Sequence, residues 1–241
     1  LPQRFASKWI KKLEIKKPIL INALNPYRGL VLQVVIEPKY AIYYCYDNIH
    51  AMSWARKMGS KAEKTYLRKV DKVVVSARGI ASRLQPGHKN ILLIPNGFDQ
   101  DIFYRRTVKA SNTTYIDYLG AIDDRLDVNL LRQLIRAFPQ YCFRFIGPLK
   151  EKRFFEELNF TNVMHINNLA PAEAAAKLAE ARLTIIPFVK NDFTRDIYPL
   201  KINEYLAMGK PVVTTDFAPL DEFSQVISIA HSTLEFITTV K

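Results

Sequence analysis

The sequence is poor in cysteine and has no long apolar run. Cys45 and Cys142 stand far apart, and neither has a Cys or His near it at metal-ligand spacing. A cysteine-based zinc site and a redox pair therefore have no support, and we expect a reducing compartment. No apolar run approaches the ~20 residues that span a bilayer, and Leu1 begins neither a secretory signal nor a lipidation motif. The sequence predicts a cytoplasmic protein, soluble or peripheral on the inner face of the membrane.

The common cofactor and catalytic motifs are also missing. The chain contains no G-x-G-x-x-G, G-x-x-x-x-G-K-[ST], G-x-S-x-G or H-E-x-x-H sequence, which argues against dehydrogenases, kinases, esterases and zincins. No histidine has a partner three or four residues away, so a catalytic histidine is not indicated. We expect no cofactor and no bound metal.

Positive charge is concentrated in the first part of the chain. The formal net charge is +12, and residues 1–98 hold 18 Lys and Arg against 5 Asp and Glu, whereas residues 99–241 hold 17 against 18. The break coincides with the turn dipeptide Asn96-Gly97 and the polar stretch that follows it. We therefore predict two domains, 1–98 and 99–241. The alternative is a surface loop inside one large sheet.

Apolar strands alternate with helical patterns along the chain. Such alternation predicts an α/β fold with doubly wound parallel sheets, covered on both faces and binding ligands at the carboxyl ends of the strands. The predicted strands are Ile19–Ala23, Ala41–Tyr46, Lys72–Ser76, Asn90–Pro95, Thr114–Leu119, Tyr141–Ile146, Val163–Ile166, Leu183–Phe188, Val212–Thr215 and Val226–Ile229. The predicted helices are 50–70, 77–84, one from Leu130 to Phe138, Glu151–Leu158, Ala172–Ala181, Leu200–Met208 and one from Ser232.

The densest group of functional residue types lies in 191–213. Pro199 suits the first turn of a helix and Gly209 its end, so the helix N-terminus should face the strand ends, where an anion can bind. Lys201 adds a full charge there, and Glu204 follows one turn later, within reach of a diol. A diphosphate joined to a ribose fits both side chains. The alternative is a capped helix with a surface Lys–Glu pair.

At this point the sequence resembles the bacterial GT-B nucleotide-sugar glycosyltransferases of the group 1 type, which build surface polysaccharides. The resemblance rests on four motifs: Asn96-Gly97-Phe98-Asp99, Leu119-Gly120 through Arg125, Phe145-Ile146-Gly147-Pro148, and Pro199-Leu200-Lys201 through Glu204 to Val213. It implies two Rossmann-like domains, the first incomplete. It also implies transfer of a sugar from a nucleotide diphosphate donor to a sugar or lipid-linked acceptor.

The resemblance implies roles for individual residues. Asp196 and Glu204 have the spacing of the family's acidic pair. Asp196 stands where a Glu is usual, and the resemblance makes it the expected catalytic carboxylate near the donor sugar. Glu204 is expected to bind the ribose. On the acceptor side Tyr46 replaces the usual His, and Asp47 is either a base or a turn former. Pro199 replaces a familiar Gly, which removes one backbone N–H from the phosphate site. The expected donor-binding set is Gly120, Arg125, Thr194, Pro199, Leu200, Lys201 and Glu204.

Three further expectations concern mechanism and partners. Lys201, Arg125 and the helix dipole would meet the charge of the leaving diphosphate, so transfer should be metal-independent, and the group favours retention of configuration. Asp99-Gln100-Asp101 matches a metal-binding D-x-D sequence of another fold, yet its place after Asn96-Gly97 favours a turn. Because the first half is short of strands, the chain alone should bind donor but transfer sugar poorly.

The sequence also leaves alternative functions open. The basic first half, with aromatic residues among its Lys and Arg, also suits nucleic-acid binding, although no nucleic acid is expected because this would leave 191–213 unexplained. An inactive sugar-nucleotide-binding domain is a further alternative. Trp9 and Leu13, four residues apart among Lys8, Lys11 and Lys12, suit attachment to an anionic membrane surface or a solvated basic helix.

Overall fold

A computed structural model of the chain describes residues 2–52, 55, 58–107, 113–151 and 153–241. Two units are distinguished. The first runs up to Asn96 and includes Arg195–Tyr198, and the second consists of Gly97–Thr194 and Pro199–Lys241. The division thus falls two residues before the expected one, and a short segment from the second half of the sequence packs with the first unit.

The first unit contains four strands and four α-helices among its described residues, with a 3₁₀ turn at Ile49–Ala51. They are, in chain order, α1 (Pro2–Lys12), β1 (Ile19–Ala23), α2 (Pro26–Ile36), β2 (Tyr40–Cys45), α3 (Gly59–Leu67), β3 (Lys72–Val75), α4 (Arg78–Leu84) and β4 (Ile91–Leu93). Helix α2 was not predicted from the sequence. The helix expected over 50–70 is shorter, beginning at Gly59; residues 53, 54, 56 and 57 lie outside the described residues.

One face of the first sheet forms the core of this unit. The strands are all parallel, in the order β1-β2-β3-β4. Right-handed crossovers between strands that follow one another in this order place their helices on the same side. Tyr43 and Val73 therefore pack against Tyr66 of α3 and Ile80 of α4, all fully buried. Burying a side chain of this kind contributes about 1.5–3 kcal/mol.

The opposite face of the first sheet is largely uncovered, which corrects the expectation of two covered faces. Ile19 and Ile21 of β1 are each 64% exposed, and Leu92 of β4 is 41% exposed. These residues share a face because Ile21 is in register with Ile42, and the alternate residues of every strand point the same way. The cause is the strand order, since the crossover helices occupy the other face.

The second unit contains six strands and five α-helices among its described residues. They are β5 (Tyr115–Leu119), α5 (Val128–Ala137), β6 (Cys142–Ile146), α6 (Phe154–Glu157), β7 (Val163–Ile166), α7 (Pro171–Ala179), β8 (Leu183–Ile186), α8 (Leu200–Ala207), β9 (Val212–Thr215), β10 (Ser228–Ala230) and α9 (Thr233–Val240). Each was predicted as a strand or helix, with ends shifted by up to three residues.

The strand order of the second sheet places its carboxyl ends for ligand binding. The strands are parallel in the order β10-β9-β8-β5-β6-β7, so the winding reverses between β5 and β8. At such a switch point the loops after neighbouring strands diverge and leave a crevice. The α/β doubly wound prediction is confirmed. None of the helices within the described residues is long and apolar enough to cross a membrane.

A buried ion pair links the neighbouring strands β5 and β6. Asp117 of β5 is in register with Arg144 of β6, and the guanidinium donates to both carboxylate oxygens at 2.8 Å. Arg144 also donates to Glu180 at 2.6 Å, and Lys177 donates to the other oxygen of Glu180. The ring of Tyr115 lies 3.8 Å from the guanidinium. Every carboxylate oxygen of this cluster therefore has a donor.

Candidate functional site

A cavity of about 830 Å³ lies within the second unit, at the carboxyl ends of its central strands. Its floor is formed where β5 and β6 end, at Leu119-Gly120 and Ile146-Gly147-Pro148. Helix α8 contributes three lining residues, which are Leu200, Lys201 and Glu204. The cavity therefore occupies the place where an open α/β sheet binds its ligand.

Two glycines at the strand ends bring the backbone close to this cavity. Gly120 has φ +144° and Gly147 has φ +139°, values that side chains rarely allow. A Cβ on Gly120 would lie 2.2 Å from Cε of Lys201, and a Cβ on Gly147 would lie 2.2 Å from the carbonyl oxygen of Gly120. The two glycines thus let β5, β6 and Lys201 approach one another.

Helix α8 is fixed to the end of β5 by a single buried side chain. Tyr205, on the inner face of α8, is fully buried, and its hydroxyl accepts a hydrogen bond from the Leu119 backbone N–H at 2.8 Å. This bond leaves the first turn of α8 beside the strand end. Lys201 and Glu204, three residues apart, both reach the cavity from this helix.

Lys201 is a partly buried cation that needs an anion. Its ammonium lies 5.6 Å from the ring centre of Tyr118 and 5.8 Å from that of Phe188. Burial, with the nearby charge of Arg125, lowers the pKa of Lys201 to about 8. Across the part of the chain that the structure describes, Lys201 has no salt bridge. A ligand phosphate would supply the missing opposite charge.

Glu204 is one of two acidic residues that line the same cavity, and the other is Asp99. Burial raises its pKa, and the charge of Lys201 opposes that rise. An ionised carboxylate accepts hydrogen bonds only, and it can take both hydroxyls of a vicinal diol. The cavity therefore brings an ammonium and a carboxylate together one helical turn apart, and their roles towards a diphosphate and a ribose stay predictions.

Similarity to solved structures identifies the architecture. Sucrose-phosphate synthase from Thermosynechococcus elongatus superposes with a TM-score of 0.74 at 14% identity, over 98% of this chain and 67% of its own. The lipopolysaccharide outer core galactosyltransferase WaaB, in its apo form, superposes with a TM-score of 0.69 at 14% identity, over 99% of this chain and 69% of its own. The chain has the GT-B fold.

Sequence comparison agrees with the GT-B architecture. TuaH of Bacillus subtilis (strain 168), a protein assigned to teichuronic acid biosynthesis as a glycosyltransferase, is 23% identical over 175 residues. The match covers 67% of this chain and 44% of TuaH, so the chain spans less than half of that relative. No protein-family model matches the chain. The expected resemblance to GT-B glycosyltransferases is confirmed.

Arg125 does not line the cavity of this GT-B chain. Its Nε and Nη2 atoms donate to the two carboxylate oxygens of Asp123 at 2.7 and 2.6 Å, which closes a turn after β5. The guanidinium carbon also lies 5.4 Å from the ring centre of Phe188. Asp123 therefore neutralises the charge that the sequence assigned to the diphosphate, while Lys201 keeps its own.

Thr194 and Pro199 shape the approach to α8. Thr194 is fully buried, and its hydroxyl donates to the Val189 carbonyl at 2.7 Å. Pro199 is the N-cap residue, and Leu200 is the first residue of the helix. Of these three predicted residues only Leu200 lines the cavity.

The two predicted catalytic carboxylates both lie in the first unit. Asp196 is 1% exposed, and its Oδ2 accepts a hydrogen bond from Nε of Arg83 at 2.9 Å. Burial raises the pKa of Asp196, against the charge of Arg83, and its Oδ1 is buried without a donor among the described residues. Asp47 accepts from the Asn48 backbone N–H at 2.8 Å, so it forms a turn after β2. Neither carboxylate lines the cavity at the ends of β5 and β6.

The D-x-D sequence also forms a turn. Oδ1 of Asp99 accepts a hydrogen bond from the Asp101 backbone N–H at 3.0 Å. Among the described residues no three His, Cys, Asp or Glu side chains come together as a metal site.

The apolar wall of the cavity was not predicted. It includes Ile102 and Phe103, from the segment after Asn96-Gly97, and Leu169 and Pro171, from the loop between β7 and α7. Apolar residues in irregular segments carry no periodic signal, so sequence patterns do not distinguish them from ordinary packing. Two of the four sequence motifs do line this side of the cavity, each through its last three residues: Asn96-Gly97-Phe98-Asp99 and Phe145-Ile146-Gly147-Pro148.

Proposed function

We propose that this chain binds a nucleotide diphosphate sugar and takes part in transferring the sugar to an acceptor hydroxyl, in the synthesis of a surface polysaccharide or glycolipid. The observation that carries the proposal is the pairing of Lys201 and Glu204 in one cavity at the switch point of the second sheet. The relative TuaH and the galactosyltransferase WaaB support the class of reaction.

The cavity suits the donor in three parts. Lys201, Gly120 and the N-terminus of α8 would hold the diphosphate, because a cation, a close backbone and free N–H groups all favour phosphate oxygens. Glu204 would accept from the ribose hydroxyls. The apolar wall that includes Phe103 and Leu169 would receive the flat face of the base.

The transfer step breaks the bond between the anomeric carbon and the diphosphate oxygen. The acceptor oxygen forms the new bond to that carbon, its proton passes to a base, and the diphosphate leaves with the bonding electron pair. Negative charge thus grows on the diphosphate, where Lys201 would stabilise it. We propose that this step is metal-independent and retaining. Asp47 and Asp196 remain the proposed acceptor-side and sugar-side carboxylates.

We propose a cytoplasmic location with peripheral attachment to an anionic membrane. Helix α1 ends in Lys11 and Lys12, and Trp9 is 40% exposed with the ammonium of Lys12 5.0 Å from its ring centre. Basic and aromatic side chains together favour anionic interfaces. The protein should sediment with anionic vesicles at low salt. Equal sedimentation with neutral vesicles would refute the attachment.

Calorimetry with a panel of nucleoside diphosphates tests the donor site. We expect one diphosphate to bind, with Lys201→Met weakening it by about 1.5–3 kcal/mol and Glu204→Gln by about 1 kcal/mol. Lys201→Met should weaken the parent nucleoside much less, because only the diphosphate meets the ammonium.

Matched controls remove the same charges elsewhere in the second unit. Lys190 pairs with Asp216 at the surface with 67% of its side chain exposed, and Glu156 is an exposed residue of α6. Lys190→Met and Glu156→Gln should leave the dissociation constant unchanged. Equal losses in the cavity variants and these controls would count against the donor site.

A further inference from the structure

A second cavity, of about 550 Å³, lies in the first unit between α3 and α4. Ser60 and Lys64 of α3 and its C-cap residue Arg68 line it with polar groups. Leu84, Pro86 and Gly87, at the end of α4 and just after it, line it with apolar surface. A lining of this kind suits a molecule with a charged end and a less polar remainder.

Two of the three Lys and Arg residues that line this cavity, Lys64 and Arg68, are exposed, and the third, Arg83, is ion-paired. Lys64 and Arg68 are four residues apart, and Arg68 keeps helical geometry, so their side chains share one helix face. In the described part of the chain neither side chain takes part in a salt bridge. Like charges one turn apart repel, and an anion between them would relieve the repulsion.

Glu63, the acidic residue that lines this cavity, has a partner on each of its carboxylate oxygens. Glu63 is 2% exposed, and its Oε1 accepts from the Tyr43 hydroxyl at 3.0 Å. Its Oε2 meets Nη1 of Arg83 at 2.6 Å and Nε2 of His50 at 2.9 Å. Arg83 donates to Glu63 and also to Asp196, which lies outside the lining. The lining itself carries the cations Lys64, Arg68 and Arg83 against the single carboxylate of Glu63, and this positive excess favours an anionic ligand.

We propose that this cavity binds a phosphate monoester or diphosphate attached to a partly apolar group, through Lys64 and Arg68, at a site distinct from the donor cavity. Phosphate is favoured over a carboxylate because its three or more acceptor oxygens can meet an ammonium, a guanidinium and the Ser60 hydroxyl together. The same chemistry is found in a soluble sugar phosphate and in a lipid phosphate.

Titration with inorganic pyrophosphate tests the site in the full chain. The Lys201→Met variant is the background, because it removes the proposed phosphate contact of the donor cavity. We expect pyrophosphate to bind this background, and Lys64→Met or Arg68→Met to weaken it at least tenfold. Lys61→Met and Lys69→Met remove one charge each from neighbouring exposed residues outside the lining, and should change affinity less than twofold.

Two outcomes would overturn the proposal: no binding to the background variant, or equal losses in all four variants. Helical circular dichroism confirms that each variant is folded, and Lys64→Gln and Arg68→Gln replace any methionine variant that is not. Vesicles of phosphatidylcholine with and without phosphatidic acid distinguish the ligand source. If vesicles with phosphatidic acid retain the chain and only the Lys64 and Arg68 variants lose this retention, the ligand is a lipid phosphate. If pyrophosphate binds and the vesicles do not retain the chain, the ligand is a soluble phosphate. The donor site is tested separately by Lys201→Met in the otherwise unchanged chain, so either site can fail alone.

Discussion

Each unit buries an arginine between two carboxylates, and the two clusters differ in how completely the charges are matched. In the second unit every oxygen of Asp117 and Glu180 has a donor. In the first unit Arg83 joins Glu63 to Asp196, and Oδ1 of Asp196 has no donor among the described residues. The first cluster connects segments 113 residues apart in sequence, whereas the second connects adjacent strands. A matched cluster stabilises a core; an incompletely matched one holds a segment in place at some cost.

Removing Arg144 should break the matched cluster with the largest effect. Arg144→Met leaves Asp117 buried and unpaired, and we expect the free energy of unfolding to fall by about 3–5 kcal/mol. Urea denaturation followed by circular dichroism measures it. The double variant Asp117→Leu with Arg144→Met should recover most of the loss. Arg132→Met, which removes a largely exposed pair 3.8 Å long, is the control and should change little.

Arg83→Met should lower the free energy of unfolding by about 2 kcal/mol, which is less than the loss from Arg144→Met. The reason is that 17% of the Arg83 side chain is exposed, so solvent reduces the cost of leaving the two carboxylates unpaired. Stability measurements with the same method would contradict the comparison if this loss exceeded that of Arg144→Met.

Asp196, in the incompletely matched cluster, should affect how stability depends on pH. Its pKa is raised in the folded chain, so the folded state binds its proton before the unfolded state does. Lowering the pH from above the folded pKa towards the unfolded value near 3.8 should therefore add stability through this group, and Asp196→Asn should remove that contribution. A denaturation series in which Asp196→Asn keeps the full wild-type pH slope would show that Asp196 is not responsible.

The cavity proposed to bind the donor gives a smaller effect, which is seen in ligand affinity. Gly120→Ala places a methyl group against Lys201 and strains the backbone, so nucleoside diphosphate binding should weaken about tenfold, or roughly 1.4 kcal/mol. Calorimetry that finds the wild-type affinity in Gly120→Ala would mean that Gly120 does not position Lys201.

Affinity should also depend on pH through Lys201. Its pKa of about 8 in the free chain means that raising the pH above 8 removes the charge before ligand binds. We expect the affinity for the diphosphate to fall by up to tenfold per pH unit above 8, and Lys201→Met to abolish this dependence. A wild-type profile that stays flat from pH 7 to 9.5 would refute it.

Sequence reasoning located the second unit well because its strands are continuous apolar runs closed by glycine, as at Leu119-Gly120 and Ile146-Gly147. It located Lys201 and Glu204 because a helix start and a three-residue spacing are local features. It could not show that Asp123 would neutralise Arg125, since that depends on a turn geometry. Nor could it place Asp196 beside Arg83, a contact between residues 113 positions apart. Asp117 and Arg144, charged residues inside apolar strands, are a local sequence signal of the buried pair.

The uncovered face of the first sheet has a consequence for the behaviour of the chain in solution. Ile19 and Ile21 expose apolar surface on the edge strand β1, and Leu92 does so on β4 at the opposite edge. The outer backbone groups of β1 are unpaired in the first sheet. Surfaces of this kind promote self-association, and the net charge of +12 opposes it only while salt is low. Turbidity of the purified chain should therefore rise with ionic strength, and Ile19→Lys with Ile21→Lys should suppress the rise.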